Sequence, residues 1–290
     1  SGAIPEKASW VGRSYEPLPR LRRSCRDPSK GKSGLAMLSA IAADSLECEP
    51  ADIEISAADT HAVPNSGPTV ASRTCMIVGG VLARACRELA ARFPGSAPFR
   101  ERARTFVANG GDGSITATYA SPPGLKWDDA TYTGDAYPAY GWAADLAEVE
   151  VDLDTFDVRV VRFASAVDVG KAIQPQMVVG QIEGGSLQAV GFAHLEVVTT
   201  AQGRFRQERM STCIIPTTLD APDFAVELVE VPFARGPFGA KGVGEMPMDG
   251  GAPAVLSAIE DALGLHVACV PATPEHLLEL WLDAHPEERL

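Results

Sequence analysis

Residues 236–247 place four glycines within nine positions and follow them with one carboxylate, Glu245, and a Met-Pro pair. A segment this rich in glycine is a poor helix or strand, because its backbone readily adopts positive φ angles and can approach a ligand closely. A lone acid at the end of a rigid loop is suited to act as a general base. Glycines that serve only as turns, with an exposed glutamate, remain the alternative.

Other glycine-dependent motifs do not fit the chain. A dinucleotide fingerprint starting at Gly242 would need glycine where Pro247 stands. A phosphate-binding loop ending at Ser33 would need glycine at Arg26, and a hydrolase nucleophile elbow at Ser186 would need glycine at Gln188.

Hydrophobic periodicity predicts a mixed α+β chain without regular βαβ alternation. Apolar spacing and prolines predict helices over residues 35–46, 69–93, 175–194 and 252–263, with a last helix from Pro274. Alternation predicts strands over residues 52–56, 114–119, 146–151, 158–163 and 225–231.

Charge is distributed unevenly along the chain. The net charge is −13, yet residues 1–34 carry eight basic and three acidic residues, a difference of +5. The acidic remainder argues against nucleic acid binding, which needs clustered cations. Residues 1–34 are predicted to be a basic arm that lies on a partner subunit or a cofactor phosphate, or else a solvated tail.

The six cysteines show no pair at the short spacing of zinc or iron–sulfur ligands, so no metal ligand is assigned and most are expected to be buried apolar residues. The chain has no run of about 20 apolar residues, so no membrane span is predicted. No basic region followed by an apolar core marks a secretion signal. The expected compartment is the cytoplasm.

Two further loops have side chains or backbone suited to a ligand. Gln181, at the start of a predicted helix, offers a hydrogen-bond donor and an acceptor, which suits the edge of a pterin or a metal oxo group. Residues 69–72 lie at the predicted start of another helix, where free N–H groups favour an anion. Each feature alone is also typical of an ordinary helix start.

In order and spacing, these loops resemble the molybdenum hydroxylases of the xanthine dehydrogenase family. The resemblance covers about Gly31 to the carboxyl end, and it is carried by segments 59–60, 63–73, 180–185, 215–222 and 239–247, with 272–275 at the close. The resemblance implies that this chain corresponds to the carboxy-terminal half of the family's molybdopterin-binding region. That half is an α+β fold of two intertwined mixed subdomains over residues 35–290, with a boundary between about 110 and 140.

The resemblance also implies roles for individual residues. Glu245 is the base that removes a proton from a molybdenum-bound hydroxide, whose oxygen comes from water and attacks an electron-poor carbon. The implied cofactor contacts are Thr69, Val70, Ala71, Ser72, Gln181, Gly242 and Gly244. The family's Gly-Gln-Gly turn corresponds here to Lys30-Gly31-Lys32-Ser33-Gly34, which leaves no clear ligand at Lys32 and Ser33.

By the same resemblance, the chain lacks the substrate-clamping half of the site. It is expected to be one subunit of a split enzyme or a fragment, active only with partner chains: a larger molybdopterin subunit, a [2Fe–2S] subunit and an FAD subunit. The cofactor is molybdenum–molybdopterin, alone or as the cytosine dinucleotide. The expected reaction is hydroxylation of a purine or related N-heterocycle. An aldehyde oxidoreductase and a non-catalytic structural relative are the alternatives.

Overall fold

The structure is a computed structural model that describes residues 32–55, 67 and 69–288. Residues 1–31 of the predicted basic arm, and residues 59–60, 63–66 and 68 of the segments that carry the resemblance, lie outside this range, so those interpretations stay predictions. Helix α1 begins at Lys32, within the last residues assigned to the arm. In the described part of the chain, none of the helices combines the length and the apolar character that a membrane span requires.

The chain divides into two compact units, each assembled from separate stretches of sequence. Unit 1 contains the described residues up to Tyr140 together with Val169–Gln174 and Glu230–Gly242. Unit 2 contains Gly141–Asp168, Pro175–Val229 and the described residues from Val243 onward. The glycine-rich segment therefore passes from unit 1 to unit 2 after Gly242.

Unit 1 is built on helices. They are α1 (Lys32–Leu46), a π-helical turn (Thr74–Gly79) continuing into α2 (Gly80–Ala91), and α3 (Phe99–Ala108), with the two-residue strands β1 (Trp127–Asp128) and β2 (Thr133–Gly134). Leu38 and Ile41 of α1 are fully buried in one apolar cluster with Val81 and Cys86 of the second helix. A Cβ at Gly79 would lie 2.8 Å from Ile41, so glycine there permits the close approach of the two helices.

Unit 2 contains a three-stranded sheet of order β3-β4-β7, formed by Ala143–Val151, Val158–Asp168 and Asp223–Val229. Strands β3 and β4 are antiparallel, whereas β4 and β7 are parallel and are connected through α4 (Pro175–His194). A small hairpin of β5 (Thr200–Ala201) and β6 (Arg204–Phe205) follows α4. Helices α5 (Gly251–Leu263) and α6 (Pro274–Ala284) complete the unit.

The core of unit 2 explains this arrangement. Phe163 of β4 is fully buried among Val190 of α4, Ile259 of α5 and Leu277 of α6. A Cβ at Gly251 would lie 2.5 Å from Ala189, so the first turn of α5 packs closely on α4. Alternate residues of β4 are buried, as expected for a strand with one covered face.

The predicted α+β class is confirmed, and α4 has the predicted bounds. The prediction of strands at 52–56 and 114–119 is wrong: Pro50–Asp52 form a 3-10 turn, and residues 112–120 are irregular apart from one bridge. Alternation alone does not make a strand without a neighbour to accept its hydrogen bonds. Helix α3 was missed, although Phe99 and Ala103 have helical spacing and are both buried.

His194, at the carboxyl end of α4, makes the stability of unit 2 depend on pH. Its side chain is buried, and burial lowers the pKa of the imidazole below its usual 6.5, against smaller opposing effects of Asp157 and Asp220. Because the folded state favours the neutral ring, the unfolded state binds more protons in acid, and the free energy of unfolding falls as pH is lowered.

We expect this loss of stability in denaturant titrations as the pH falls through about 6.5, the usual pKa of histidine in the unfolded chain, and below it. His194→Gln keeps a polar side chain of similar size that does not titrate, so the pH dependence should become shallower. An unchanged slope in this variant would assign the acid sensitivity to other groups.

Candidate cofactor site

The turn before the π-helical segment in unit 1 contains four of the predicted cofactor contacts. Thr69 and Val70 are exposed, whereas Ala71 and Ser72 are partly buried. Ala71 and Ser72 have positive φ angles of 51° and 53°, which are not helical. The helix predicted over residues 69–93 therefore begins only after Ser72. Two adjacent non-glycine residues in this region cost about 1 kcal/mol each, and such strain is concentrated at binding sites.

Ser72 lies directly against Gly242, a second predicted cofactor contact in the same unit. A Cβ at position 242 would stand 1.9 Å from the Ser72 carbonyl oxygen. No side chain fits at that distance, so the close approach requires glycine at 242. The structure therefore brings together two predicted residues that are 170 positions apart in the sequence.

Residues 169–171 hold the unit 1 part of the glycine-rich segment. The Lys241 N–H donates to the Val169 carbonyl at 2.9 Å, and the Lys171 N–H donates to the Gly239 carbonyl at 3.2 Å. Gly170 has a φ of 65°, and a Cβ there would lie 2.2 Å from the Gly239 oxygen. The Lys171 ammonium donates to Glu230 at 2.9 Å and lowers the pKa of that carboxyl.

In unit 2, Gln181 is joined to the other end of the glycine-rich segment. Its Nε2 donates to the Gly244 carbonyl at 2.8 Å, across 63 positions of sequence. Glu245 follows at once, exposed, at the start of the 3-10 turn Met246–Met248. The structure thus brings together three predicted site residues, Gln181, Gly244 and Glu245.

The Gln181 face of α4 is open beside this turn. A Cβ built at Gly180 or at Gly184 would meet no atom of the described residues within 4 Å. Gly185, by contrast, is packed on Pro247, because a Cβ built at position 185 would lie 2.8 Å from the Pro247 Cβ. Helix α4 therefore fixes the Met246–Met248 turn on one side and presents an open glycine face on the other, which a planar ring system can approach closely.

Gly184→Ala tests this face without disturbing the fold. Replacing glycine by alanine inside a helix stabilises it by about 0.5–1 kcal/mol where the methyl meets no neighbour. We expect a slightly higher free energy of unfolding together with reduced pterin content after purification. Unchanged pterin content in this variant would show that the face is not used by the cofactor.

The turn at residues 215–222 is held by side-chain hydrogen bonds and by a close contact with α4. Asp220 accepts hydrogen bonds of 2.7 Å from the Thr217 N–H and from the Thr217 hydroxyl, and these bonds lower the pKa of the Asp220 carboxyl. Gly191 of α4 contacts Pro216, because a Cβ at 191 would lie 2.5 Å from the proline ring. The turn projects Leu219, whose side chain is 93% exposed.

The described cysteines do not form a metal centre. Within residues 32–55, 67 and 69–288, no group of three or more His, Cys, Asp or Glu side chains could hold a metal ion. Burial raises the pKa of Cys75 and Cys86 to about 12 and contributes most to raising that of Cys48 to about 11. These three thiols are therefore protonated near neutral pH.

Two bacterial dehydrogenase subunits are similar in sequence to this chain over most of its length. A probable xanthine dehydrogenase subunit of Bacillus subtilis is 28% identical over 273 residues, which is 86% of this chain and 36% of that protein. The 6-hydroxypseudooxynicotine dehydrogenase complex subunit gamma of Paenarthrobacter nicotinovorans is 29% identical over 289 residues, covering 90% of this chain and 36% of that subunit.

A solved structure shows the same fold. The aldehyde oxidoreductase of Desulfovibrio desulfuricans superposes with a TM-score of 0.84 at 30% identity, covering 96% of this chain and 31% of that one. The chain thus spans about a third of the length of these proteins.

The family model of the molybdopterin cofactor-binding domain matches residues 29–222. That range contains the Ser72 turn and Gln181, whereas Gly242, Gly244 and Glu245 lie beyond it. The chain belongs to the molybdopterin cofactor-binding domain family of the molybdenum hydroxylases, the enzymes of the xanthine dehydrogenase and aldehyde oxidoreductase type.

Proposed function

We propose that this chain is the part of a multi-subunit molybdenum hydroxylase that provides the catalytic base and part of the cofactor site, and that the enzyme hydroxylates a purine or related N-heterocycle. The observation that carries this proposal is the joint position of Gln181, Gly244 and Glu245 beside the open face of α4.

The residues of the site suit a molybdenum–pterin group. The glycine face of α4 gives a flat ring access to the helix, and the exposed side chain of Gln181 stands on it. The cofactor, either alone or as the cytosine dinucleotide, would supply an activated oxygen from water and accept two electrons. Within unit 1, the Ala71–Ser72 turn and Gly242 bring together other predicted cofactor contacts through the backbone.

Glu245 is the proton acceptor in this proposal. The Gln181 bond to the Gly244 carbonyl fixes the peptide directly before Glu245, and the 3-10 turn fixes the residues after it. A glutamate whose backbone is held on both sides projects its side chain from a constant position, which suits a general base. Gln181 is therefore a positioning residue for Glu245 as well as a cofactor contact.

The substrate class rests on the relatives. One is named a xanthine dehydrogenase subunit and another acts in a 6-hydroxypseudooxynicotine dehydrogenase complex, which favours a nitrogen heterocycle. The structural match to an aldehyde oxidoreductase makes an aldehyde the second candidate. A structural relative without turnover is the third, and the Glu245 loop disfavours it.

Partner chains are part of the proposal. The chain covers only 36% of a relative that is itself a subunit of a complex. Glu245 is exposed, and Leu219, Met210 and Ile214 are exposed apolar side chains of unit 2. A larger molybdopterin subunit would cover these surfaces and add the substrate clamp, while a [2Fe–2S] subunit and an FAD subunit would carry the electrons away.

The test is metal analysis of the purified assembly, followed by assays with xanthine, hypoxanthine, nicotinate and an aldehyde. We expect molybdenum and pterin in equal amounts and turnover of a heterocycle. An assembly without molybdenum would support a structural relative, and turnover of the aldehyde alone would support the second candidate. A cofactor-loaded chain that oxidises substrate by itself would contradict the divided site.

A further inference from the structure

A cavity of about 250 Å³ lies within unit 1, apart from the residues assigned to the cofactor. Its walls come from the helix that contains Met76, Gly80 and Arg87, from segment 119–122 and from segment 233–237. Ser72 and Gly242 do not line it. The cavity is therefore a separate feature of the unit.

The cavity is strongly cationic in an acidic protein. Arg84, Arg87 and Arg235 line it, and in the described part of the chain no aspartate or glutamate does so, although the whole chain has a net charge of −13. Glu88 lies outside the wall, with its carboxylate 3.7 Å from the Arg84 Nε. The Arg84 guanidinium is engaged by the Thr118 carbonyl and by Glu88, so Arg87 and Arg235 are the cationic side chains of the wall that favour an anion.

Two of these arginines are carried by ordered segments. The Arg84 Nη2 donates to the Thr118 carbonyl at 2.5 Å. Arg235 stands in a turn closed by the Gly236 N–H bond to the Phe233 carbonyl at 3.0 Å. Gly236 is itself confined, since a Cβ there would lie 1.9 Å from the Ala240 oxygen. The backbone of this wall is therefore organised before any ligand binds.

The rest of the wall is apolar and aromatic. Met76 and Pro237 are buried, and the rings of Tyr119 and Phe233 are half-buried. Apolar walls combined with a few charged groups are characteristic of sites for organic ligands rather than for inorganic ions. The volume is below the roughly 300 Å³ at which drug-sized ligands begin to fit, so the ligand is small.

We propose that this cavity binds an aromatic carboxylate: a single planar ring bearing one carboxylate group. The planar guanidinium group of an arginine can donate two parallel hydrogen bonds to a carboxylate. The ring would pack against Tyr119, Phe233 and the buried apolar residues Met76 and Pro237. This assignment does not depend on the proposed enzymatic function, because it uses none of the residues of the cofactor site.

Three probes separate the contributions of ring and charge in calorimetric titrations of the full, cofactor-free chain. Benzoate has both features, benzamide keeps the ring without the charge, and acetate keeps the charge without the ring. We expect benzoate to bind with a roughly millimolar Kd, as its size permits, and more weakly as salt is raised. Benzamide and acetate should bind at least tenfold more weakly. Equal affinity for all three, or no benzoate binding, would overturn the proposal.

Matched variants locate the binding. Arg87→Gln combined with Arg235→Gln should weaken benzoate at least tenfold, and Ala120→Trp, at the exposed rim, should block it by filling the opening. Arg104→Gln removes a charge from the exposed surface of α3, outside the cavity, and should leave the Kd unchanged. Benzoate binding that survives both cavity variants would show that the ligand binds elsewhere.

Discussion

Glu245→Gln is expected to leave an assembled, cofactor-loaded enzyme that reduces its molybdenum with substrate about 1,000-fold more slowly, within the range that general bases contribute. The amide keeps the size and hydrogen-bonding capacity of the side chain but cannot accept the proton. The backbone around position 245 is held by Gln181 and by the turn that follows, so the substitution should not alter the fold. Single-turnover reduction, followed by absorbance, measures the chemical step alone.

Asp249→Asn is the matched control for this substitution. Asp249 is an exposed acid at the end of the same 3-10 turn, and its replacement changes the charge equally. We expect near-normal reduction in this variant. Near-normal single-turnover reduction in Glu245→Gln, with full cofactor content, would refute the role of Glu245 as the base.

Gly242→Ala is expected to have the largest effect on stability. The added methyl would fall 1.9 Å from the Ser72 carbonyl oxygen, and a backbone atom cannot move aside as a flexible side chain can. Either the glycine-rich segment or the Ala71–Ser72 turn must shift, at a cost of about 3 kcal/mol. Denaturant titration should show this loss in the cofactor-free chain, and cofactor content should fall with it.

Gly180→Ala provides the comparison, because a Cβ at position 180 would meet no atom within 4 Å among the residues that the structure describes. The same chemical change there should leave the free energy of unfolding equal or slightly raised. If Gly242→Ala were as stable as Gly180→Ala, the close contact between Ser72 and Gly242 would be wrong.

Local sequence signals predicted the helices well and the strands less well. Pro175 and the apolar pattern after it gave α4 its full length, because a helix satisfies its hydrogen bonds within one segment. Residues 114–119 alternate as a strand does, yet only one bridge forms there. Residues 158–163 were predicted correctly and extend to Asp168, because β4 has a neighbour on each side.

The positive φ angles of Ala71 and Ser72 were not predictable from the sequence. Neither residue type favours that conformation, so the local pattern indicated a continuous helix from Thr69. The turn exists because contacts from elsewhere in unit 1 hold it, among them the approach of Gly242.

The sequence by itself determined which chemical groups are present and in what local setting: one carboxylate after a glycine-rich segment, one amide near a helix start, and small residues at a turn. Those features depend on neighbours within a few positions. Only the tertiary structure decided that the Gln181 amide reaches Gly244 and that Ser72 rests on Gly242. Such pairings depend on how separate elements pack, and hydrogen-bond and contact energies between residues far apart in the chain leave no local pattern in its sequence.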